Sequence, residues 1–255
     1  MAVLEYVALG RTDLLVSHTA LGAESLGQLE ESEAAALVRL AYDEGVNFFD
    51  TSHSTPKSEA ALGRALLGLR DSVLLATKTA ALPPQELRLA LQESLAALQT
   101  DHIDLYQLEQ PPYLPQRGAA DGVYETLAAL KDGGTVRHIG IATDSLELAF
   151  AAAESGAYDA VQFPFSVLSS PKVAELSRRC GETGTGFIAM QPLCGGVVSD
   201  IRLAFGFLSQ FENVVPLWGA RNAEELRQIL RLAEHPPLVD EQLRAEAERQ
   251  RAFFS

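Results

Sequence analysis

The sequence predicts an α/β protein whose eight parallel strands close into a (β/α)8 TIM barrel. Short apolar runs rich in β-branched residues alternate with segments of helical periodicity eight times along 255 residues. Strict alternation of this kind indicates a parallel sheet. The loop after the first predicted strand reads ALGAESLG, without the G-x-G-x-x-G of an open dinucleotide-binding sheet. Eight units in this length favour a closed barrel, formed by one domain over residues 1–255.

The elements follow one another without an interior linker. Apolar runs predict strands at about 16–20, 46–49, 73–77, 103–108, 136–141, 159–163, 187–190 and 213–217. Periodic segments predict helices near 32–44, 58–69, 84–98, 122–132, 146–155, 170–183, 200–210 and 223–233. The first helix, for example, has Ala34, Leu37 and Ala41 on one stripe, and Gly45 stands where it ends. A further charged helix is expected over 240–255, against the outside of the barrel.

Composition narrows the classes of function. Twenty Lys and Arg against 34 Asp and Glu give a net charge of −14, which disfavours binding to nucleic acid or to an anionic membrane. The sequence has no apolar run of about 18 residues and no signal-peptide pattern at its start, so we expect a soluble, cytoplasmic protein. The two cysteines, Cys180 and Cys194, form neither a disulfide framework nor a metal-binding pattern.

Three ionisable residues are expected to meet at one mouth of the barrel. Asp50, Lys78 and Glu109 end the second, third and fourth predicted strands, and in such barrels the chemistry lies at the C-terminal ends of the strands. Between two carboxylates Lys78 should stay protonated, and a dry Glu109 could hold a proton and donate it to a carbonyl. The cluster could instead be an ion-pair network that only ties the strands together.

Several motifs in register resemble the aldo-keto reductase family. They are LGRTDLLVSHTALG, GVNFFDTSHSTPKSEAALGRAL, LLATKT, SLAALQTDHIDLYQLEQP and LKDGGTVRHIGIATDS, within residues 9–232. The resemblance implies an NADP-dependent enzyme that reduces a carbonyl, or an enone, of a small molecule by hydride transfer. It implies a monomer or a small homo-oligomer. It also implies that residues 9–22 contain an N-terminal hairpin that closes the bottom of the barrel and continues into the first strand.

The family's catalytic Asp, Tyr, Lys and His are only half retained. By resemblance the Asp is Asp50 and the Lys is Lys78, whereas Thr55 stands at the tyrosine position and Glu109 at the histidine position. A threonine hydroxyl has a much shorter reach and a pKa far above the ~10 of tyrosine, so Thr55 cannot replace it as the acid. Glu109 is the favoured substitute, with His53 and Tyr113 as alternatives, and activity is expected to be weak or altered.

The same resemblance implies nine residues that bind the coenzyme. They are Thr143 and Gln162 for the carboxamide, Met190 against the nicotinamide, Gln191 and Leu193 beside the pyrophosphate, Gly219, Ala220 and Arg221 around a phosphate, and Gln228 near the adenine. Arg221 could equally be an ordinary exposed arginine at a helix start. The losses at 55 and 109 leave two alternatives open: a non-catalytic binding or sensor protein, and a non-redox isomerase or lyase that uses Lys78 with Asp50 and Glu109.

Overall fold

The computed structural model describes residues 4–254, so residues 1–3 and 255 of the predicted domain lie outside the described range. Two short strands form an antiparallel hairpin, and eight more form a closed barrel in which all neighbours are parallel. The strands are β1 (Tyr6–Ala8), β2 (Leu15–Ser17), β3 (Ala20–Gly22), β4 (Phe48–Asp50), β5 (Leu74–Thr79), β6 (Ile103–Glu109), β7 (Val136–Ala142), β8 (Ala160–Pro164), β9 (Gly186–Met190) and β10 (Val214–Gly219). The predicted (β/α)8 barrel is confirmed.

Helices cover the outside of the barrel. They are α1 (Glu31–Asp43), α2 (Pro56–Ala65), α3 (Pro84–Leu98), α4 (Val123–Asp132), α5 (Leu146–Ser155), α6 (Pro171–Thr183), α7 (Ile201–Leu208), α8 (Ala223–Glu234) and α9 (Glu241–Phe254). The additional C-terminal helix α9 packs beside α7, where Arg251 Nε donates to the Val167 carbonyl at 2.6 Å. Within residues 4–254 no helix has both the length and the apolar character needed to cross a membrane.

The first strand was predicted in the wrong place. Residues 16–20 belong to two elements, because Val16 lies in β2 of the hairpin and Ala20 begins β3 of the barrel. Both side chains are buried in the same interior cluster, so their apolar character did not separate them. The chain turns between the two strands, where Ser17 Oγ donates to the Thr19 carbonyl at 2.9 Å.

Side chains inside the barrel form layers, because alternate residues of a strand point to the same face. The lower layer is apolar and includes Phe48, Ala76, Leu105, Ala160 and Ile188. Two residues further along the same five strands stand Asp50, Lys78, Gln107, Gln162 and Met190. The strand register therefore places a polar layer directly above an apolar one, at the C-terminal ends of the strands.

The hairpin closes the N-terminal end of the barrel. Leu9, Leu14 and Val16 are buried with the interior side chains of the barrel. Gly10, in the turn, has a φ of +59°, and a Cβ there would lie 2.3 Å from the backbone nitrogen of Gly186. Only glycine allows this approach, so the turn is held tightly against the strand that it closes.

A charged cluster joins the hairpin to the barrel bottom. His138 Nε2 lies 2.7 Å from Asp13 Oδ1, and Lys131 Nζ donates to Asp159 Oδ2 at 2.5 Å. Burial by itself would lower the pKa of His138, but the Asp159 and Asp13 carboxylates outweigh it and raise this pKa. Burial opposes the charged form of Asp159, yet its bonds to His138, Lys131 and the Ile139 amide lower its pKa to about 2. The cluster therefore holds the hairpin by charge as well as by packing.

Candidate active site

A cavity of about 610 Å³ opens at the C-terminal rim of the barrel. Asp50, Lys78 and Glu109 all line it, as expected from their positions at neighbouring strand ends. Thr55, the residue at the start of α2, lines it too. The rim therefore brings the four predicted catalytic positions to one space.

The floor of the cavity is a buried hydrogen-bonded network around Asp50. Lys78 Nζ donates to Asp50 Oδ2 at 2.7 Å, and both side chains are almost wholly buried. Gln107 and Gln162 donate to the same carboxylate at 3.3 and 3.4 Å, and Gln107 Nε2 also lies 2.6 Å from Gln162 Oε1. A buried charge with this many partners is fixed in position, so the Lys78 ammonium has a defined place below the cavity.

Lys78 has a second carboxylate partner that the sequence did not indicate. Glu24 Oε1 lies 3.0 Å from Lys78 Nζ, whereas the sequence pointed to Glu109 as the second carboxylate of the cluster. Glu24 belongs to a single 3-10 turn that follows β3, and its side chain is 54% exposed. The third hydrogen of the ammonium is used by the Thr51 carbonyl at 2.9 Å. All three N–H groups of Lys78 are therefore occupied.

These contacts determine which groups are charged. Burial by itself would lower the pKa of Lys78, but the Asp50 and Glu24 carboxylates outweigh it and raise this pKa, so the side chain is an ammonium at neutral pH. Burial raises the pKa of Asp50, and the Lys78 ammonium counteracts this only in part. The dry carboxyl of the site is thus Asp50, while Glu109 is half-buried at the rim.

Glu109 is held by two serine hydroxyls. Ser52 Oγ donates to Glu109 Oε2 at 2.8 Å, and Ser54 Oγ donates to the same oxygen at 2.6 Å. Both serines lie in the loop between β4 and α2, so this loop aims the carboxyl group. Since Oε2 accepts both bonds, Oε1 is the oxygen left to meet a molecule in the cavity.

The alternative acids point elsewhere. Thr55 Oγ1 donates to the Ser52 carbonyl at 3.0 Å and so serves the turn that begins α2. The side chain of His53 lies between the β4–α2 loop and α3, with its Nε2 3.4 Å from Glu93 Oε2. The Tyr113 hydroxyl donates to Asp121 Oδ2 at 2.8 Å, beside a separate groove that follows β6. None of these three hydroxyl or imidazole groups is placed beside Lys78.

The residues expected to bind a coenzyme divide into two groups. Five line the cavity, namely Gln162, Met190, Gln191, Leu193 and Gly219. The other four lie away from it: Thr143 faces the groove after β6, Ala220 is buried, and Arg221 and Gln228 are exposed on the α8 side. Arg221 Nη2 is paired with Glu225 Oε1 at 2.8 Å. The nicotinamide end of a dinucleotide therefore has more prepared contacts than the adenosine end.

The loop after β9 leaves its backbone open to the cavity. Gly195 and Gly196 have φ values of +66° and +97°, and a Cβ on either would meet nothing within 4 Å. Nearby, the buried indole nitrogen of Trp218 has no hydrogen-bond partner within the described residues. The space beside the two glycines therefore leaves room for the central part of a dinucleotide, whereas the indole nitrogen is enclosed and does not reach the cavity.

Comparisons with known proteins identify the family and the fold. The model of the Aldo/keto reductase family matches residues 19–204. The uncharacterized oxidoreductase YrpG of Bacillus subtilis is 30% identical over 230 residues, 78% of this chain and 70% of that protein. L-galactose dehydrogenase of Arabidopsis thaliana is 30% identical over 223 residues, 78% and 69% of the two chains. The holo form of an aldo-keto reductase from Bacillus halodurans shares the fold, with a TM-score of 0.84 at 21% identity over 97% of this chain and 96% of that one.

Proposed function

We propose, since this chain belongs to the aldo/keto reductase family, that it interconverts a carbonyl and an alcohol with NADP(H) at the cavity above Asp50 and Lys78. When bound, the coenzyme supplies or accepts the hydride. The observation that carries the proposal is the buried Lys78–Asp50 pair at 2.7 Å, on the floor of an open cavity at the catalytic end of a (β/α)8 barrel.

The coenzyme is proposed to lie along β9 and β10. Met190 would pack against the nicotinamide, and Gln191, Leu193 and the backbone at Gly219 would follow the pyrophosphate. Arg221 precedes the N-terminus of α8, where a cation and the positive end of the helix dipole together favour a phosphate, although the Asn222 side chain already accepts from the Glu224 and Glu225 amides. This supports NADP(H) over NAD(H), although Glu225 already pairs with Arg221 and should limit the preference.

Glu109 is assigned to accepting a hydrogen bond from a hydroxyl group of the substrate. The two serine hydroxyls on Oε2 orient its carboxyl group, and Oε1 remains for the substrate. Because Thr55 replaces the family's tyrosine, acid catalysis worth roughly 10²–10⁴ in rate is missing from its usual place. The reaction is therefore expected to be slow for simple carbonyl compounds.

The substrate is proposed to be a neutral, hydroxyl-bearing carbonyl compound such as a sugar. Glu24 and Glu109 both line the cavity, and like charges would repel an anionic substrate. Carboxylate oxygens and the Gln28 and Gln110 amides at the same cavity suit hydroxyl groups. L-galactose dehydrogenase, a relative, acts on a sugar by its name.

The structure favours this redox reaction over imine chemistry at Lys78. An imine requires an uncharged amine, and the raised pKa of Lys78 keeps it an ammonium with all three hydrogens used. Borohydride should therefore trap no substrate on Lys78.

Binding of the coenzyme can be tested without turnover. Trp218 is the sole tryptophan of the sequence and lines the cavity, so reduced coenzyme should quench its emission by energy transfer. We expect saturable quenching of the Trp218 emission by NADPH and weaker quenching by NADH. Free nicotinamide, which lacks the rest of the dinucleotide, should have no effect. Absence of quenching by either coenzyme at millimolar concentration, with calorimetry also silent, would rule out the proposed function.

A further inference from the structure

Glu24, the exposed partner of Lys78, has no catalytic role in the reaction proposed so far. Lys78 has three hydrogen-bond partners, and two of them, Asp50 and the Thr51 carbonyl, are buried. Glu24 alone among these three has an exposed side chain, and it lines the cavity. A ligand hydroxyl that approaches the ammonium from the cavity therefore meets the Glu24 carboxylate.

We propose that Glu24 is a catalytic residue, the group that takes the proton from the substrate hydroxyl when the alcohol is oxidised and returns it in the reverse reaction. The proposal rests on the function proposed above and adds the identity of the proton carrier. It also explains how the site could work with Thr55, whose hydroxyl is used by the Ser52 carbonyl. Glu109 then accepts a hydrogen bond from another hydroxyl group of the substrate, and Glu24 moves the proton of the reacting hydroxyl.

The geometry satisfies the requirements for such a base. A general base must lie within hydrogen-bond reach of the proton and carry a free lone pair. Glu24 Oε1 accepts from Lys78 Nζ at 3.0 Å, which fixes that end of the carboxylate over the floor of the cavity. The remaining lone pairs of the carboxylate are available, since an ionised carboxylate accepts up to about four hydrogen bonds. Lys78 supplies a fixed positive charge beside the substrate oxygen as its proton leaves.

The step balances as a two-electron oxidation. The O–H bond of the alcohol breaks and its proton passes to Glu24. The C–H bond at the same carbon breaks, and the hydride goes to an oxidised nicotinamide dinucleotide, while the C–O bond becomes a carbonyl. The proton on Glu24 then leaves to water through its exposed face, which neither Asp50 nor Thr51 has.

The test compares Glu24→Gln with wild type in steady-state oxidation of sugar alcohols and aldoses, across a pH range, with coenzyme affinity measured by Trp218 quenching. We expect kcat to fall on the order of 10²-fold while the coenzyme Kd stays within about twofold, since proton transfer is lost and binding is kept. Glu24→Asp, which keeps a carboxylate, should recover part of the rate.

Glu86→Gln is the control, because Glu86 is exposed on α3 away from the cavity and its replacement should leave all of these values unchanged. If wild type oxidises a substrate and the kcat of Glu24→Gln is within threefold of the wild-type value, Glu24 is not the base although the proposed function holds. A coenzyme Kd raised tenfold or more in Glu24→Gln would likewise assign Glu24 to binding. A wild type that binds no coenzyme and oxidises nothing overturns the proposed function and this inference together.

Discussion

Arg221, which precedes α8, pairs with Glu225 in the first turn of that helix, with Nη2 and Oε1 2.8 Å apart. The Arg221 backbone amide also donates to Glu225 Oε2, at 2.9 Å. The guanidinium is 79% exposed, so the pair contributes little to stability. The pair matters for coenzyme binding, because Glu225 and the 2′-phosphate of NADPH would compete for the same guanidinium N–H groups of Arg221.

Replacing that carboxylate should strengthen NADPH binding selectively. Glu225→Gln removes a negative charge from the proposed phosphate site, so the Kd for NADPH should fall several-fold while that for NADH stays constant. Trp218 quenching measures both. Glu224→Gln, a neighbouring exposed glutamate in the same turn, is the matched control. Equal changes for the two coenzymes would show that Arg221 does not contact a 2′-phosphate.

Restoring the two missing catalytic side chains should raise carbonyl reduction. In Thr55→Tyr combined with Glu109→His, a phenol and an imidazole stand above the retained Asp50–Lys78 pair. We expect an increase of roughly 10²–10⁴ in kcat/KM for a simple aldehyde with NADPH, the usual contribution of a positioned general acid. The Thr55→Phe variant controls for ring bulk without a hydroxyl. No gain in the double variant, if it is folded, would argue that the cavity is not arranged for hydride transfer.

The buried pair should be more important for stability than an exposed pair. Lys78→Met leaves Asp50 buried and without its cation, and breaking such a pair typically costs about 3 kcal/mol or more. Adding Asp50→Asn to Lys78→Met should recover much of this loss, because no uncompensated charge remains. Urea denaturation at pH 7 measures both variants. A single variant within about 1 kcal/mol of wild type would mean that water reaches the pair.

Asp159 should make stability depend on pH in the acid range. Its folded pKa of about 2 lies below the ordinary 3.8, so its contribution is complete above pH 4 and is lost as pH falls towards 2. The lowering corresponds to about 2 kcal/mol. Asp159→Asn should therefore be destabilised by about that amount at pH 7 and by clearly less at pH 2.5, in urea titrations. Asp132→Asn, an exposed aspartate at the end of α4, should match wild type at both values.

The barrel could be predicted because the sequence pattern of a strand followed by a helix is repeated along the chain. Alternating apolar runs and helical stripes occur eight times, and one misplaced strand does not change the count. That strand was misplaced because Val16 and Ala20 are equally buried, although one belongs to the hairpin and the other to the barrel. Local hydrophobicity reports burial and does not report which sheet a residue joins.

The candidate site was predictable where it depends on strand register. Asp50 and Lys78 follow apolar residues at a spacing of two, which places them inside the barrel above Phe48 and Ala76. Gln107 follows Leu105 in the same way and could have been found by this rule. Glu24 could not, because it is an exposed residue in a short turn and its contact with Lys78 depends on how that turn folds over the rim.

The hairpin that closes the N-terminal end of the barrel also constrains the order in which coenzyme and substrate would bind. Leu9, Leu14 and Val16 fill the end of the barrel opposite the cavity. Every ligand that approaches Lys78 therefore enters and leaves through the same opening at the C-terminal rim. In the proposed reaction, a dinucleotide that lies across this opening binds before the small substrate. The small product then dissociates before the dinucleotide is exchanged. For the proposed reaction we therefore expect sequential kinetics, in which the product form of the coenzyme competes with the substrate form of the coenzyme and not with the carbonyl substrate.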